Sequence, residues 1–348
     1  MKRAALGAVA VLGALLLLEL ALRAAGYSAP QLYQLDPQLG WSLRAAKHGW
    51  RSYHGDRGYA IINAAGFRDG DRTLDKPDPV YRIAVLGDEY SEAAPVALRD
   101  TWWWQLEAKL QYCGFRPGKL VEVLNFGVAG YSTAQELVLL QTRVMRYAPD
   151  LVLLQVAPDD VIDNSSVLAA NKLRPFYFLD AHAVPRIDDS FSSLPEFERG
   201  MQTRYRLAAE IGDHIRAFQL VRELARQTFI APAHAAPAPL GPPSDALHEE
   251  AWRVTEALIA RINDYARRNG AELRLVVVPP ARQAGGEMSY ADQRLAALGR
   301  RLQVPVVALG ADLRSTYYRP SGAWTVEGQR AAAAAVARRL CPATAQAG

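Results

Sequence analysis

The stretch RIAVLGDEYSE, Arg82 to Glu92, joins an apolar run to an acidic turn. RIAVLG is short, apolar and closed by glycine, the pattern of a strand buried on both faces of a parallel sheet. The pattern recurs downstream in VEVLNFG (Val121 to Gly127), LVLLQVA (Leu151 to Ala157), LRLVVVP (Leu273 to Pro279) and VPVVAL (Val304 to Leu309). Segments with helical spacing separate them: a helix opening near Asp100-Thr101 and running to about Cys113, then Thr133 to Tyr147. Further helices are expected over Leu247 to Asn269, Tyr290 to Leu302 and Val326 to Leu340. Five such units predict an α/β chain, a flavodoxin-like three-layer α/β/α fold around a five-stranded parallel sheet.

Three regions lie outside this alternation. Residues 27–81 are rich in Gly, Tyr, Trp and Asp and predict a leader of irregular structure with short strands. Residues 160–245 interrupt the domain at 82–348 with an insertion. It holds a hairpin in RPFYFLDAHAVPRID, a helix from about Gly200 to Phe229 and an extended Pro/Ala-rich linker, Ala231 to Pro243. Residues 1–26 open Met-Lys-Arg and run apolar from Ala4 to Leu18, which suits a transmembrane anchor or an export signal. Glu19 and Arg23 lie four apart and can pair on one helical face. Lys2 and Arg3 ahead of the span place the rest of the chain outside the cytoplasm, and a retained anchor is favoured over a cleaved signal.

Composition narrows the function. Against 40 Lys+Arg stand 36 Asp+Glu, interspersed with no basic run longer than a pair, so no nucleic-acid partner is expected. Two cysteines in 348 residues cannot make a disulfide scaffold or a four-cysteine zinc site. In the flavodoxin-like order the first and last helices share a sheet face and end at the same edge. Those ends carry Cys113 and Cys341, so a disulfide is expected between them, with two buried thiols as the alternative. No dinucleotide, P-loop or HExxH motif is present.

Ligands in such sheets bind beyond the carboxyl ends of the strands. Four stretches fall there: Gly87-Asp88-Glu89-Tyr90-Ser91-Glu92, Asn125 to Ser132, Pro158 to Asn164, and Arg319 to Thr325. In order and spacing they resemble the sequence blocks of the SGNH/GDSL hydrolase family. The leader around LDPQLGWSLR and the phrases DTWWWQLE and NFGVAGYSTAQEL resemble its membrane-anchored bacterial members. The resemblance implies a bacterial inner-membrane, single-pass protein with a periplasmic domain. It also implies ester-hydrolase chemistry, whose reactive residues are missing at their usual positions here. Glu89 stands where the family has its nucleophilic serine. Gly130 matches the glycine that gives an amide to the oxyanion hole, but Asp159 replaces the asparagine donor. Asp160 matches the family aspartate after it. Ser321 and Ala323 replace the acid and the histidine.

A serine must lose its proton to an imidazole before it attacks an acyl carbon, and Ala323 accepts none. A carboxylate at Asp159 puts negative charge where negative charge should develop. A pseudoenzyme is therefore the leading expectation, one that binds or assists in processing cell-envelope polysaccharide or lipid. The candidate ligand contacts are Asp88, Glu89, Tyr90, Tyr131, Asp159, Asp160 and Trp324, and the membrane partner is reached through the N-terminal helix. No cofactor is expected. Two alternatives stand. An active esterase or O-acyltransferase would use Ser91 as a displaced nucleophile with His182 or His214 as base. A carboxylate site built from Asp88, Glu89, Asp159, Asp160 and Asp163 would bind a divalent cation or act as a general acid. In the bland reading Asp88 and Asp160 cap helices, and the Trp102–Trp104 run is core packing.

Overall fold

The computed structural model describes residues 2–53, 56–229 and 241–341. The sheet strands are β1 (Val80–Leu86), β2 (Leu120–Asn125), β3 (Leu151–Val156), β4 (Glu272–Val277) and β5 (Val306–Ala308). All pair in parallel in the order β2-β1-β3-β4-β5. Helices of ten residues or more are α1 (Lys2–Ala24), α2 (Trp102–Tyr112), α3 (Thr133–Thr142), α4 (Thr203–His214), α5 (Arg216–Phe229), α6 (Ala246–Arg268), α7 (Tyr290–Leu302) and α8 (Val326–Leu340).

Side chains alternate across a strand, so β1 sends Ile83 and Val85 to one face and Ala84 and Leu86 to the other. Ile83 and Val85 meet Trp102, Trp103, Leu106 and Leu110 of α2 and the alanine face of α8. Ala84 and Leu86 join a second core with α3, α6, α7 and leader residues Leu39, Leu43 and Phe67. The three layers are those the alternation predicts. Because α2 and α8 share a face and both run back against the strands, their ends converge. Cys113 and Cys341 are disulfide-bonded there, with Cα atoms 5.9 Å apart. Trp102 and Trp103 are buried in the core as packing residues.

The leader forms two antiparallel hairpins, Tyr33–Asp36 with Gly40–Leu43 and His48–Tyr53 with Asp56–Ile61. The expected insertion hairpin is present, Phe176–Leu179 against Pro185–Asp188. The single helix expected from Gly200 to Phe229 is instead three. Gln202 and Ile215 leave helical geometry (ψ 140° and 101°) between Pro195–Met201, α4 and α5. The second break turns Asp213 inward, where its carboxylate meets Arg44 (2.5 Å) and the Gln31 amide (2.9 Å) of the leader. Residues 230–240, most of the expected linker, lie outside the described residues. In α1 the segment Ala5–Ala24 is long and apolar enough to cross a membrane, a property that spans and export signals share.

Candidate functional site at the strand ends

The chain runs from β1 outward to β2 and then returns past β1 to β3, so the carboxyl ends of β1 and β3 flank the topological switch point. This is what brings the first and third sequence blocks together. Asp88 caps the turn Glu89–Glu92 by accepting from the Tyr90 amide at 2.9 Å. Asp160 accepts from the Ala157 amide at 2.7 Å, tying the short helix Asp159–Asp163 to the end of β3. Both aspartates are buried. They do the capping work of the bland reading and are not presented to a ligand.

Glu89 and Asp159 remain half-buried at the rim. Burial, then the charge of Asp159, raises the Glu89 carboxyl to about 7. Burial, then the charge of Asp163, raises Asp159 to about 6. The Glu89 carboxylate has a specific place: its Oε2 accepts from the backbone amide of Gly130 at 3.3 Å. Gly130 is the position that the family resemblance assigns to the oxyanion hole, and its φ of +76° suits glycine. The Glu89 side chain therefore lies with its own oxygen on the amide to which the resemblance gives that role.

The remaining candidates are withdrawn from solvent. Ser91 is 0% exposed, and its hydroxyl donates to Gln155 Oε1 at 2.9 Å. The Ser91 carbonyl accepts from the Trp103 indole at 2.9 Å. His182 and His214, its proposed bases, are exposed, and among the described residues no imidazole is bonded to the buried Ser91 hydroxyl. Tyr131 is buried with its hydroxyl on the Trp41 carbonyl at 2.6 Å. Trp324 is buried against Tyr90 at a centroid distance of 4.8 Å. Neither ring presents a stacking face to a ligand, whereas Tyr90 stays half-buried. Ser321 donates to Asp56 of the leader, and Ala323 is buried beside Glu89. Four of the five carboxylates of the metal alternative have protein partners: Asp88 the Tyr90 amide, Glu89 the Gly130 amide, Asp160 the Ala157 amide and Asp163 the Arg174 guanidinium. Among the described residues no group of three or more His, Cys, Asp or Glu is arranged to hold a metal ion.

Several site residues carried no sequence signal. Glu92 is buried and accepts from the Tyr33 hydroxyl (2.5 and 2.6 Å), the Ala129 amide (2.7 Å) and Arg51. Arg68, also buried, donates to the Glu92 carbonyl at 2.8 Å. The Trp41 indole donates to the Ala129 carbonyl at 3.1 Å, and Arg174 of the insertion lies over the Trp41 ring at 5.0 Å, 3.2 Å from Asp163. Leader and insertion thus touch all four blocks and roof the strand ends. Gly58 shows how closely: a Cβ there would lie 2.0 Å from the Ala94 carbonyl oxygen. The crevice among Arg51, Glu89, Glu92, Ala129 and Ala323 has essentially no free volume. Beneath it, burial and then the charge of Asp88 hold the Glu136 carboxyl well above its ordinary range; neither of its oxygens has a hydrogen-bond partner. A cavity of about 730 Å³ lies elsewhere, between the first leader hairpin and α4, lined by Tyr33, Leu35, Arg44, Met201, Leu207 and Glu210 among others.

The sheet order, and the position of all four blocks at its carboxyl edge, match what the resemblance implies. The fold is SGNH-hydrolase-like. No family model matches the chain, and no curated protein matches it. Among solved structures it is similar to TesA at 14% identity, over 74% of this chain and 97% of that one, with a TM-score of 0.40. It is similar to a catalytic mutant of Axe2, an acetylxylan esterase from Geobacillus stearothermophilus, at 11% identity over 75% and 94%, TM-score 0.39. The lipase/acylhydrolase from Enterococcus faecalis gives 12% identity over 75% and 95%, TM-score 0.37. At these values no activity or substrate is carried over.

Proposed function

We propose that this protein is a membrane-anchored, extracytoplasmic pseudoenzyme: an SGNH-hydrolase-like domain that binds or assists in cell-envelope polysaccharide or lipid processing without ester hydrolysis. The observation that carries this reading is the Glu89 carboxylate on the Gly130 amide. An oxyanion hole stabilises charge that develops in the transition state only if its donors are free for the substrate oxygen. Here one donor is taken by a fixed acidic side chain, Asp159 supplies charge of the wrong sign, and the histidine position holds Ala323. The envelope substrate class rests on the family resemblance.

The location is supported by Lys2 and Arg3 before the span and by a disulfide, which persists in oxidising compartments. A retained anchor is supported by its last turns. Glu19 Oε2 accepts from the Ala217 amide at 2.9 Å, and Arg23 donates to the His214 carbonyl at 2.5 Å. Cleavage would remove both contacts from the folded domain.

The test is ester hydrolysis by the full chain in detergent, with p-nitrophenyl acetate and beside the variants Glu89→Ala and Ser91→Ala. All three should stay at the buffer rate. Turnover that Ser91→Ala abolishes would overturn the proposal in favour of a rearranged esterase.

A further inference from the structure

The insertion helices leave an apolar face that none of the described residues covers. On α4, Leu207 and Ile211 lie one turn apart and are 55% and 60% exposed, and Ile215, in the break that follows, is 43% exposed. On α5, Phe218 and Val221 are 50% and 62% exposed, three residues apart and so on one side of the helix. Soluble domains do not gather bulky apolar side chains on neighbouring helices without something to bury them against.

What covers them is indicated by where the two helices are fastened. The α4–α5 junction is bonded to the end of α1: the Ala217 amide to Glu19, the His214 carbonyl to Arg23. Ala217 is buried at this contact, and α5 touches α1. Glu19 precedes the last residue of α1 by five positions, about 7–8 Å along the axis at 1.5 Å per residue. If Ala24 marks the outer end of a membrane span, the start of α5 lies at the depth that surface-lying amphipathic helices reach, about 5–10 Å into the headgroup–acyl boundary. The charges fit as well. Arg204 and Arg206 are exposed on α4, while the acidic Glu210 is engaged by Arg44 and Lys47 and Asp213 is buried. Exposed arginines beside apolar side chains suit an anionic lipid surface.

We infer that α4 and α5 lie in the outer interface of the bilayer that α1 spans, with Ile211, Ile215, Phe218 and Val221 in lipid and Leu207 at the edge of the cavity. The inference rests on the anchor proposed above and adds a second, lateral membrane contact. The domain is thereby held at a fixed height and orientation instead of swinging on a tether, and the 730 Å³ cavity, of which α4 forms one wall, is kept close to the headgroups.

Nitroxide accessibility decides it. The native cysteines are joined, so one added thiol can be labelled in the intact full chain without reductant. Leu12→Cys in the span, Ile211→Cys and Val221→Cys on the platform, and Val167→Cys on an exposed loop are reconstituted in vesicles containing phosphatidylglycerol. Collision with oxygen, which favours lipid, is compared with collision with a water-soluble nickel complex. Labels at 211 and 221 should favour oxygen several-fold over the 167 label, at depths of about 5–10 Å. A lipid-exposed 12 label with water-like 211 and 221 labels would overturn the platform and leave the anchor standing. A water-like 12 label would overturn both. Labels at 211 and 221 shielded from both probes would show a protein contact instead and also overturn it.

Discussion

Replacing Glu89 by glutamine tests the electrostatics of the strand-end site most directly. The amide keeps an oxygen for the Gly130 donor and removes the charge. The Glu89 carboxyl rises from 4.5 to about 7 on folding, burial being the larger cause and Asp159 the second. Below about pH 4.5 both folded and unfolded chains hold the proton, and above about pH 7 neither does. Between those values the folded chain binds a proton that the unfolded chain has released, so stability falls as pH rises through the window. At 1.36 kcal/mol per pH unit, the full loss is about 3 kcal/mol, complete above pH 7. Glu89→Gln should therefore match the parent at pH 4.5 and exceed it by about 3 kcal/mol at pH 8. For a chain of this size that is roughly 4 °C in Tm. Thermal unfolding of the full chain in detergent, followed by circular dichroism from pH 4.5 to 8, measures both curves. Because Asp159 is the second cause, the same substitution should gain less in an Asp159→Asn background. Parallel curves for parent and variant across the range would falsify the claim that Glu89 is ionised against its surroundings.

Other perturbations separate structural from chemical roles. Ser91→Ala should cost about 1 kcal/mol by denaturant unfolding, through the lost bond to Gln155, and leave any hydrolytic background unchanged. Arg51→Met should destabilise by about 3–5 kcal/mol, since it removes one partner of the buried Glu92 carboxylate; an effect under 1 kcal/mol would mean that Tyr33 and Ala129 suffice. Gly58→Ala drives a methyl into the Ala94 carbonyl and should cost about 1–3 kcal/mol while raising proteolysis of the second leader hairpin. Paired Cys113→Ser and Cys341→Ser should lower stability by about 2–4 kcal/mol, and adding reductant to the double variant should change nothing further.

Much of the fold is legible in local pattern. The apolar runs at Arg82–Leu86 and Leu151–Val156 are buried at every position of their strands, and helix ends at Leu302 and Leu340 fall where the spacing places them. Strand β5 is shorter than VPVVAL suggests, because only Val306–Ala308 finds a partner on β4. The helix break at Ile215 is invisible in the α4–α5 sequence, and the bonds of Asp213 beside it reach leader residues far away in the chain. The site divides in the same way. That Glu89, Asp159 and Ala323 replace reactive residues follows from the blocks alone. That Tyr131 and Trp324 are sealed from solvent, and that Glu92 rather than Ser91 is the hub of the roof, does not.

The sequence by itself determined the strand and helix alternation and that Ala323 stands where the resemblance places a histidine, because strand period, helix period and residue identity are local quantities; that Cys113 and Cys341 are bonded, and not two buried thiols, is decided by the packing of α2 beside α8. Tertiary structure alone decided that the Glu89 oxygen lies on the Gly130 amide, that the leader closes the cleft and that α5 is fastened to Glu19 of the anchor. Each of these joins segments separated by tens to hundreds of residues, and only the crossing of the chain at β1 and β3 and the burial of specific charges bring them within bonding distance.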